Sequence, residues 1–134
     1  MNDGMGDYVA NQVIKLMLKK GIQVLGSNIL ILGFTFKENC PDVRNTKVFD
    51  IVRSLREYNL NITIYDPWAN AAAAKREYGI DIIDKIDNQQ FDAAILAVAH
   101  NEFKTLDIEK FLKKSHIIYD VKGVLPKDKV DGRL

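Results

Sequence analysis

The sequence predicts an α/β fold in which helices cover both faces of a parallel β-sheet, preceded by an N-terminal helix. Short aliphatic runs of the length of buried strands alternate along the chain with segments whose apolar residues recur at helical spacing. The connections between these segments are short, which is typical of strands and helices that wind around one sheet. We therefore expect a Rossmann-like, three-layer domain to occupy most of the 134 residues.

The composition is that of a globular domain and argues against several function classes. Hydrophobic residues make up 47% of the chain and charged residues 28%, which are ordinary values. With 19 basic and 18 acidic residues, the net charge of +1 gives no reason to expect nucleic-acid or membrane partners. The single cysteine cannot form an internal disulfide. No apolar run approaches about 18 residues and no signal peptide is evident, so we expect a cytoplasmic protein.

The first predicted elements are a helix, a buried strand and a second helix. Helix 7–20 carries apolar residues at helical spacing and precedes Gly21, a typical C-cap. The aliphatic run 29–32 is expected to be a strand buried on both faces. It leads to a helix over 46–58, for which Asn45 is the predicted N-cap and Asn59 the left-handed end residue. The buried stripe of this helix is expected to be Val48, Ile51, Val52 and Leu55.

The remaining elements continue the alternation. The β-branched stretch 61–65 predicts a strand that ends at Asp66-Pro67, and a short helix is expected between a cap at Asn70 and Gly79. Further strands are predicted at 80–83, 91–98 and 116–120. A helix over 108–114, capped by Asp107, is expected before the last strand.

The loop after the first strand is the strongest candidate for a binding site. Lys37, Asp42 and Arg44 lie within eight residues of one another, just before a predicted helix start. Free backbone N–H groups and the helix dipole attract anions, and the two cations add full positive charge. We expect Lys37 and Arg44 to line a common pocket for a diphosphate, with Asp42 orienting Arg44. The alternative is a solvated loop in which Asp42 and Arg44 pair only for local order.

Other chemistry is weakly represented. The first turn has Gly33 but lacks the G-x-G-x-x-G pattern, so this sheet is not expected to hold the adenine half of NAD in the usual way. Asp66 is therefore interpreted as part of a strand-ending turn. Cys40 is interpreted as incidental, and His100 as a structural polar residue more than a pH-sensitive contact. No metal-ligand cluster is apparent, and Tyr65, Trp68 and Phe103 are expected to pack.

Residues 33–45 resemble the signature loop of the C-terminal domain of the UDP-glucose/GDP-mannose dehydrogenase family, G-x-x-F-K followed by D-x-R. The details look most like the branch that acts on UDP-N-acetylhexosamines in Vi-type and O-antigen polysaccharide synthesis. The stretch Asn2-Asp3-Gly4-Met5-Gly6 is similar to one that follows the central helix of the family. The resemblance is supported by residues 65–67, 120–123 and 131–134.

The resemblance implies a division of the chain and a set of binding residues. Residues 1–22 would end the central, dimer-forming helical region, and residues 23–134 would form the UDP-sugar-binding C-terminal domain. By the family's pattern, Phe36 and Lys37 would contact the UDP-sugar. Lys122 would stand where relatives often have an arginine near the substrate. Arg44 would reach NAD.

The same resemblance implies what lies outside this chain. The cofactor would be NAD, bound mainly by an N-terminal domain that is also a partner of this one, and the parent would be a homodimer. The catalytic cysteine of the family lies in a glycine-rich motif that is not present here, so no catalytic residue is assigned and the fragment alone is expected to be inactive. The alternative is a stand-alone nucleotide-binding or protein-interaction α/β module, whose interaction face would be the first helix.

Overall fold

The computed structural model describes residues 4–87 and 89–134 of the chain. It contains four helices and six strands, in the order α1 (Met5–Lys19), β1 (Asn28–Leu32), α2 (Val48–Arg56), β2 (Asn61–Tyr65), α3 (Ala71–Tyr78), β3 (Ile82–Ile83), β4 (Phe91–Leu96), α4 (Asn101–Thr105), β5 (Leu112–Asp120) and β6 (Gly132–Arg133). Short 3₁₀ turns occupy Ile108–Phe111 and Lys127–Lys129. The Asn2-Asp3 part of the N-terminal resemblance lies outside the described residues.

All six strands form one parallel sheet in the order β3-β2-β1-β4-β5-β6. In the central register, Ile31 of β1 pairs with Ile64 of β2 on one side and Ile95 of β4 on the other. The strand order reverses between β1 and β4, and in open α/β sheets ligands bind outside the carboxyl ends of the strands at this point. The predicted Rossmann-like fold is thereby confirmed.

Two hydrophobic cores lie on the two faces of the sheet. Ile29 and Ile31 of β1 point into the larger core, which also takes the buried sides of α1, α2 and α3. Leu30 and Leu32 point into the smaller core, which includes Phe103 of α4. Because successive strand residues face opposite ways, a strand covered on both faces must be apolar throughout. This is why β1 and β4 read as continuous aliphatic runs.

Helix α1 shares the larger core with the sheet. Val9, Ala10, Val13 and Met17 on its inner face are fully buried. Two side-chain hydrogen bonds tie α1 to α2, one between Ser54 Oγ and Asp7 Oδ1, the other from Tyr58 Oη to Asn11 Oδ1 at 3.0 Å. The apolar face that could have served an external partner is thus used internally.

Most predicted elements are present, including the buried stripe of α2. Asn59 adopts the expected left-handed conformation, with φ 56°. Asn70 caps α3 by accepting a hydrogen bond from Ala73 N, and Gly79 ends that helix with φ 69°. The predicted edge strand is present in β3, although it covers only Ile82–Ile83.

Two predicted caps and one helix were wrong. Asn45 does not cap α2: it is itself left-handed, with φ 59°, and the helix begins three residues later. The amide of Val48 donates instead to Thr46 Oγ1 at 3.2 Å. Asp107 makes no capping hydrogen bond, and the helix predicted at 108–114 is a single 3₁₀ turn, because β5 already begins at Leu112. Helix α4 and strand β6 were not predicted.

Within the described residues, no helix combines the length and the apolar character needed to cross a bilayer.

Candidate functional site

A crevice opens where the carboxyl ends of β1, β4 and β5 meet the start of α2. It encloses about 120 Å³ and is lined by residues from each of these segments and from the start of α1. Phe36 contributes from the loop after β1, Val98 from the end of β4, and Lys122 from the loop after β5. Thr46 and Lys47 contribute from the turn that leads into α2. The crevice therefore lies at the point where the strand order reverses, and a helix N-terminus and an ammonium group stand at its walls.

The close approach of two strand ends shapes this crevice. Gly33 follows β1 with φ 97°, and a Cβ atom there would lie 2.6 Å from Val98 Cβ. Leu32 O meanwhile accepts hydrogen bonds from the amides of Ala97 and Val98, at 2.9 and 3.3 Å. Only glycine fits both the backbone conformation and the space. Gly33 thus allows the loops that follow β1 and β4 to pack closely.

Asp66, at the end of β2, holds the loop that follows β1. Its Oδ2 accepts hydrogen bonds from the amides of Phe34 and Thr35, at 2.7 and 3.3 Å. Its Oδ1 accepts from the amides of Trp68 and Ala69, at 2.7 and 3.0 Å. The Asp66 side chain therefore does form the strand-ending turn that was predicted, and it also fixes a neighbouring loop.

Asp66 is also paired with His100. Nε2 of that ring lies 3.0 Å from Asp66 Oδ2, and both side chains are fully buried. Burial by itself raises the pKa of Asp66. The hydrogen bonds from His100 and from the Phe34 amide outweigh burial, and the pKa is held below its ordinary value. The carboxylate is thus ionised and acts as a fixed acceptor for the first βα turn.

Asp120 does the same for the loop after β5. It is fully buried, and its carboxylate accepts hydrogen bonds from the amides of Lys122, Gly123 and Leu125 at 2.8 to 3.0 Å. The backbone of Lys122 is consequently fixed while its side chain stays exposed. A rigid backbone below a free ammonium group suits a contact that is made only when an anionic ligand arrives.

The predicted binding residues Phe36, Lys37 and Arg44 differ from one another in where they lie. Phe36 and Lys37 follow each other at the exposed edge of the first loop, and 56% of the Phe36 surface is open to solvent. Arg44 lines a second hollow, together with Asn70 and Arg76. Lys37 lines neither hollow. The structure thus brings Phe36 and Lys122 to one crevice, whereas Lys37 and Arg44, which were expected to share a pocket, share neither of these two hollows.

Arg44 is already engaged by a neighbour. Its Nε and one terminal nitrogen each lie 3.0 Å from a different carboxylate oxygen of Asp42, which is the two-pronged geometry typical of this pair. The hydrogen bond from Arg44 holds the pKa of Asp42 below its usual value. Asp42 also accepts from the Arg44 amide at 2.9 Å. This pairing was predicted both by the binding interpretation and by its alternative, a solvated loop with local order, and the pair remains open to solvent.

The first βα turn does not fit a dinucleotide. A pyrophosphate bound there would need free backbone N–H groups and an adjacent helix start. The amides of Phe34 and Thr35 are instead taken by Asp66, and α2 begins only at Val48. Both oxygens of Asp66, which stands where a ribose-binding acid would be, are also occupied. In this turn the groups that would hold the adenine half of NAD are therefore already engaged within the domain.

His100 is the residue whose position the sequence did not reveal. The sequence favoured a structural role for it, but its partners are Asp66 and Asn39, which are 34 and 61 positions away. Their proximity depends on β2 and β4 flanking β1, and one sequence alone does not give that order. Within the described residues, no group of three or more His, Cys, Asp or Glu side chains is placed to hold a metal ion.

Comparison with known proteins gives matches both in sequence and in fold. Residues 30–127 match the model of the UDP-glucose/GDP-mannose dehydrogenase family, UDP binding domain. The whole chain is 50% identical to part of a UDP-N-acetyl-D-glucosamine 6-dehydrogenase from Salmonella typhi, and 51% identical to part of one from Pseudomonas aeruginosa. It covers 32% of the length of each, so the chain spans about a third of these relatives.

Solved structures show the same fold. An NDP-N-acetyl-D-galactosaminuronic acid dehydrogenase from Methanosarcina mazei superposes with a TM-score of 0.84 at 22% identity, over 96% of this chain and 27% of that one. A UDP-D-ManNAc dehydrogenase from Pyrococcus horikoshii gives 0.78 at 22% identity, over 98% of this chain and 31% of that one. The sequence match, and not this likeness of fold, identifies the family: the chain belongs to the UDP-glucose/GDP-mannose dehydrogenases and contains their UDP-binding domain.

Proposed function

We propose that this chain is the C-terminal, UDP-binding domain of an NAD-dependent nucleotide-sugar 6-dehydrogenase. The substrate would be a UDP-N-acetylhexosamine or UDP-glucose, oxidised to the uronic acid for surface polysaccharide. The observation that carries the proposal is the crevice in which Phe36 and Lys122, from two different loops, meet the start of α2. The identity to the two UDP-N-acetyl-D-glucosamine 6-dehydrogenases supports the choice of sugar.

The role of the domain is to bind and orient the UDP end of the substrate. Lys122 supplies a full positive charge to the diphosphate, and the dipole of α2 adds partial positive charge. Lys37, exposed at the edge of the first loop, supplies a second ammonium group for phosphate or sugar oxygens. Phe36 presents an open aromatic ring that the nucleotide or the sugar can cover. Holding the diphosphate fixes the distance from the crevice to the sugar C6 atom.

Cofactor and reaction chemistry are assigned to polypeptide outside this chain. NAD, when bound, would supply a hydride acceptor for oxidation of the sugar, and its main site would be an N-terminal domain of the same protein. Arg44 would reach the cofactor from this domain, with its guanidinium shared between Asp42 and a phosphate. The parent is expected to be a cytoplasmic homodimer in which residues 1–22 end the central helical region and residues 23–134 form the UDP-sugar domain.

Calorimetric titration of the chain with UDP tests the proposal. We expect saturable binding that weakens about tenfold in Lys122→Ala, which corresponds to roughly 1.4 kcal/mol for a lost charge-assisted contact. Lys114→Ala is the matched control, because Lys114 is an exposed lysine at the opposite end of β5 and should leave the affinity unchanged. Equal losses of UDP affinity in both variants, or no UDP binding by the unmodified chain, would refute the assignment of this crevice as the UDP site.

Two further readouts separate this function from the alternatives. The chain mixed with NAD and UDP-N-acetylglucosamine should form no NADH, and catalysis by these 134 residues would contradict the proposed division of labour. In analytical ultracentrifugation, a stable dimer that does not bind UDP would favour an interaction module. The burial of the apolar face of α1 in the domain's own core argues against that reading.

A further inference from the structure

His100 lies beside the crevice and not in it. The residue follows β4, is fully buried, and does not line the cavity formed by the three strand ends. Its ring packs between two aromatic side chains, with centroids 6.1 Å from Trp68 and 5.3 Å from Phe103. This packing fixes the plane of the ring, and the position of its proton then determines which hydrogen bonds the two nitrogens can make.

The contacts of the ring define one tautomer. Nδ1 lies 2.9 Å from the backbone N of Asn39, and because an amide can only donate, Nδ1 carries no proton. Nε2 lies 3.0 Å from the Asp66 carboxylate and 3.3 Å from Thr35 Oγ1. The Thr35 hydroxyl donates its own proton to Lys37 O at 2.8 Å, so it too can only accept from the ring. His100 is therefore neutral, with its proton on Nε2.

Through these contacts the ring holds the loop that carries Phe36 and Lys37. Thr35 precedes this exposed pair and Asn39 follows it, and both are in contact with His100. Asn39 is left-handed, with φ 56°, and its side-chain Oδ1 accepts from the Asn101 amide at 3.0 Å. The two flanks of the exposed pair are thus joined to the carboxyl ends of β2 and β4.

We propose that His100 is a positioning residue for diphosphate binding: its neutral ring, by accepting the Asn39 N–H and donating to Asp66, holds the loop on which Phe36 and Lys37 stand. The proposal rests on the proposed function, because it takes these two residues as contacts of the nucleotide. A loop that is already ordered loses less conformational freedom when the ligand binds, and affinity rises accordingly. His100 itself touches no substrate.

Two substitutions separate the two halves of this contact. In His100→Asn the amide oxygen can replace Nδ1 as the acceptor for Asn39, while the donor to Asp66 is lost. In His100→Gln the longer side chain can still donate to Asp66, while the acceptor for Asn39 is lost. Both variants lose buried hydrogen bonding and part of the ring packing, so a purely structural role would weaken UDP binding in both of them alike. A positioning role would not.

The experiment combines UDP titration with NMR of the labelled chain. We expect about tenfold weaker UDP binding in His100→Gln and a change within about threefold in His100→Asn. Exchange of the Asn39 amide should accelerate only in the glutamine variant, and ring ¹⁵N signals of the unmodified chain should report the Nε2–H tautomer. Equal loss of affinity in both variants, or an Nδ1–H ring, would overturn the role of His100 alone. Failure of the unmodified chain to bind UDP would instead overturn the proposed function, while the ring signals would still test the contact with Asn39.

Discussion

At the scale of single residues, the domain depends on buried carboxylates that organise loops. The Asp66 carboxylate accepts hydrogen bonds from four backbone amides and from the His100 ring. The Asp120 carboxylate accepts hydrogen bonds from three backbone amides. A buried charge is costly unless several donors surround it, and here the donors belong to the loops that form the crevice. The two carboxylates therefore stabilise the fold and the site together.

Replacing Asp66 should be severe. In Asp66→Asn one of the two acceptor oxygens becomes an NH₂ group that faces backbone donors, so we expect a loss of about 3 kcal/mol in the free energy of unfolding, measured by urea denaturation at pH 7. The control is Asp81→Asn, which removes an exposed ion pair with Lys75 and should change stability by less than about 0.5 kcal/mol. A small effect of Asp66→Asn would contradict the role assigned to this carboxylate.

Asp66 also makes the stability of the folded chain depend on pH. The pKa of Asp66 is lower in the folded chain than in the unfolded one, so its contribution is complete above about pH 4 and is lost as the pH falls through the folded pKa. The difference in stability between the unmodified chain and Asp66→Asn should accordingly narrow in acid. A difference that stayed constant from neutral pH into acid would show that the charge is not the source of the effect.

Gly33 offers a second prediction at this scale. Gly33→Ala must place a Cβ atom 2.6 Å from Val98 Cβ at φ 97°, and we expect a loss of about 3 kcal/mol from strain and overpacking. Gly79→Ala is the matched control. Gly79 also has positive φ, but its added Cβ would meet no atom within 4 Å, so only the backbone cost of about 1 kcal/mol should appear. Equal losses of stability in the two variants would mean that the close contact with Val98 does not contribute to the effect of Gly33→Ala.

The sequence predicted which residues are polar at strand ends, but not how they pair. Asp66 was visible as a strand-ending residue because Asp-Pro after a β-branched run is a local signal. Its partnership with His100 is a property of strand order, since the two residues are brought together by the strands on either side of β1. Arg44 and Asp42 are two positions apart, and their pairing was accordingly foreseeable.

At the scale of elements, α1 is held to α2 by close backbone contact. A Cβ atom on Gly6 would lie 2.7 Å from backbone and Cβ atoms of Asp50. Glycine to alanine within a helix normally stabilises by up to about 1 kcal/mol, so here the contact should reverse the sign. We expect Gly6→Ala to lower the free energy of unfolding by about 2 kcal/mol.

The control for Gly6→Ala is Lys15→Ala, at an exposed position of the same helix, which should change stability little. If Gly6→Ala were stabilising, α1 would not be packed against α2 in solution as the structure shows. That result would also mean that the inner face of α1 does not contribute to the larger core.

The elements that sequence reasoning placed wrongly are those decided by tertiary contacts. Residues 108–114 have helical spacing, but Leu112 pairs with Phe91 and draws this stretch into β5. Strand β6 has only two residues and no local signal, and Asp131 fixes it by accepting the Ile118 amide at 2.8 Å. Strands β1, β2 and β4 were predictable, because the pattern of apolar side chains in each strand reflects burial on one or both faces.

At the scale of the whole molecule, the domain has a buried core of its own and candidate binding residues that are open to solvent. Its two hydrophobic clusters are built from its own elements, whereas the candidate binding residues lie at the exposed rim. Arg44 lines one hollow at that rim, and Phe36 and Lys122 line another, which is expected if part of each ligand is held by other polypeptide. The relatives, about three times as long as this chain, are consistent with that division.

The most direct test of the account is a titration of the ¹⁵N-labelled chain with UDP, followed by amide chemical shifts. Binding at the crevice predicts saturable shifts that are largest in residues 33–46 and 120–124, with smaller ones around residues 97–100. The hollow lined by Leu106, Ile108 and Lys129 is the internal control and should stay unchanged. Shifts centred on that hollow, or none that saturate, would contradict the claim that loops fixed by Asp66 and Asp120 form a diphosphate site.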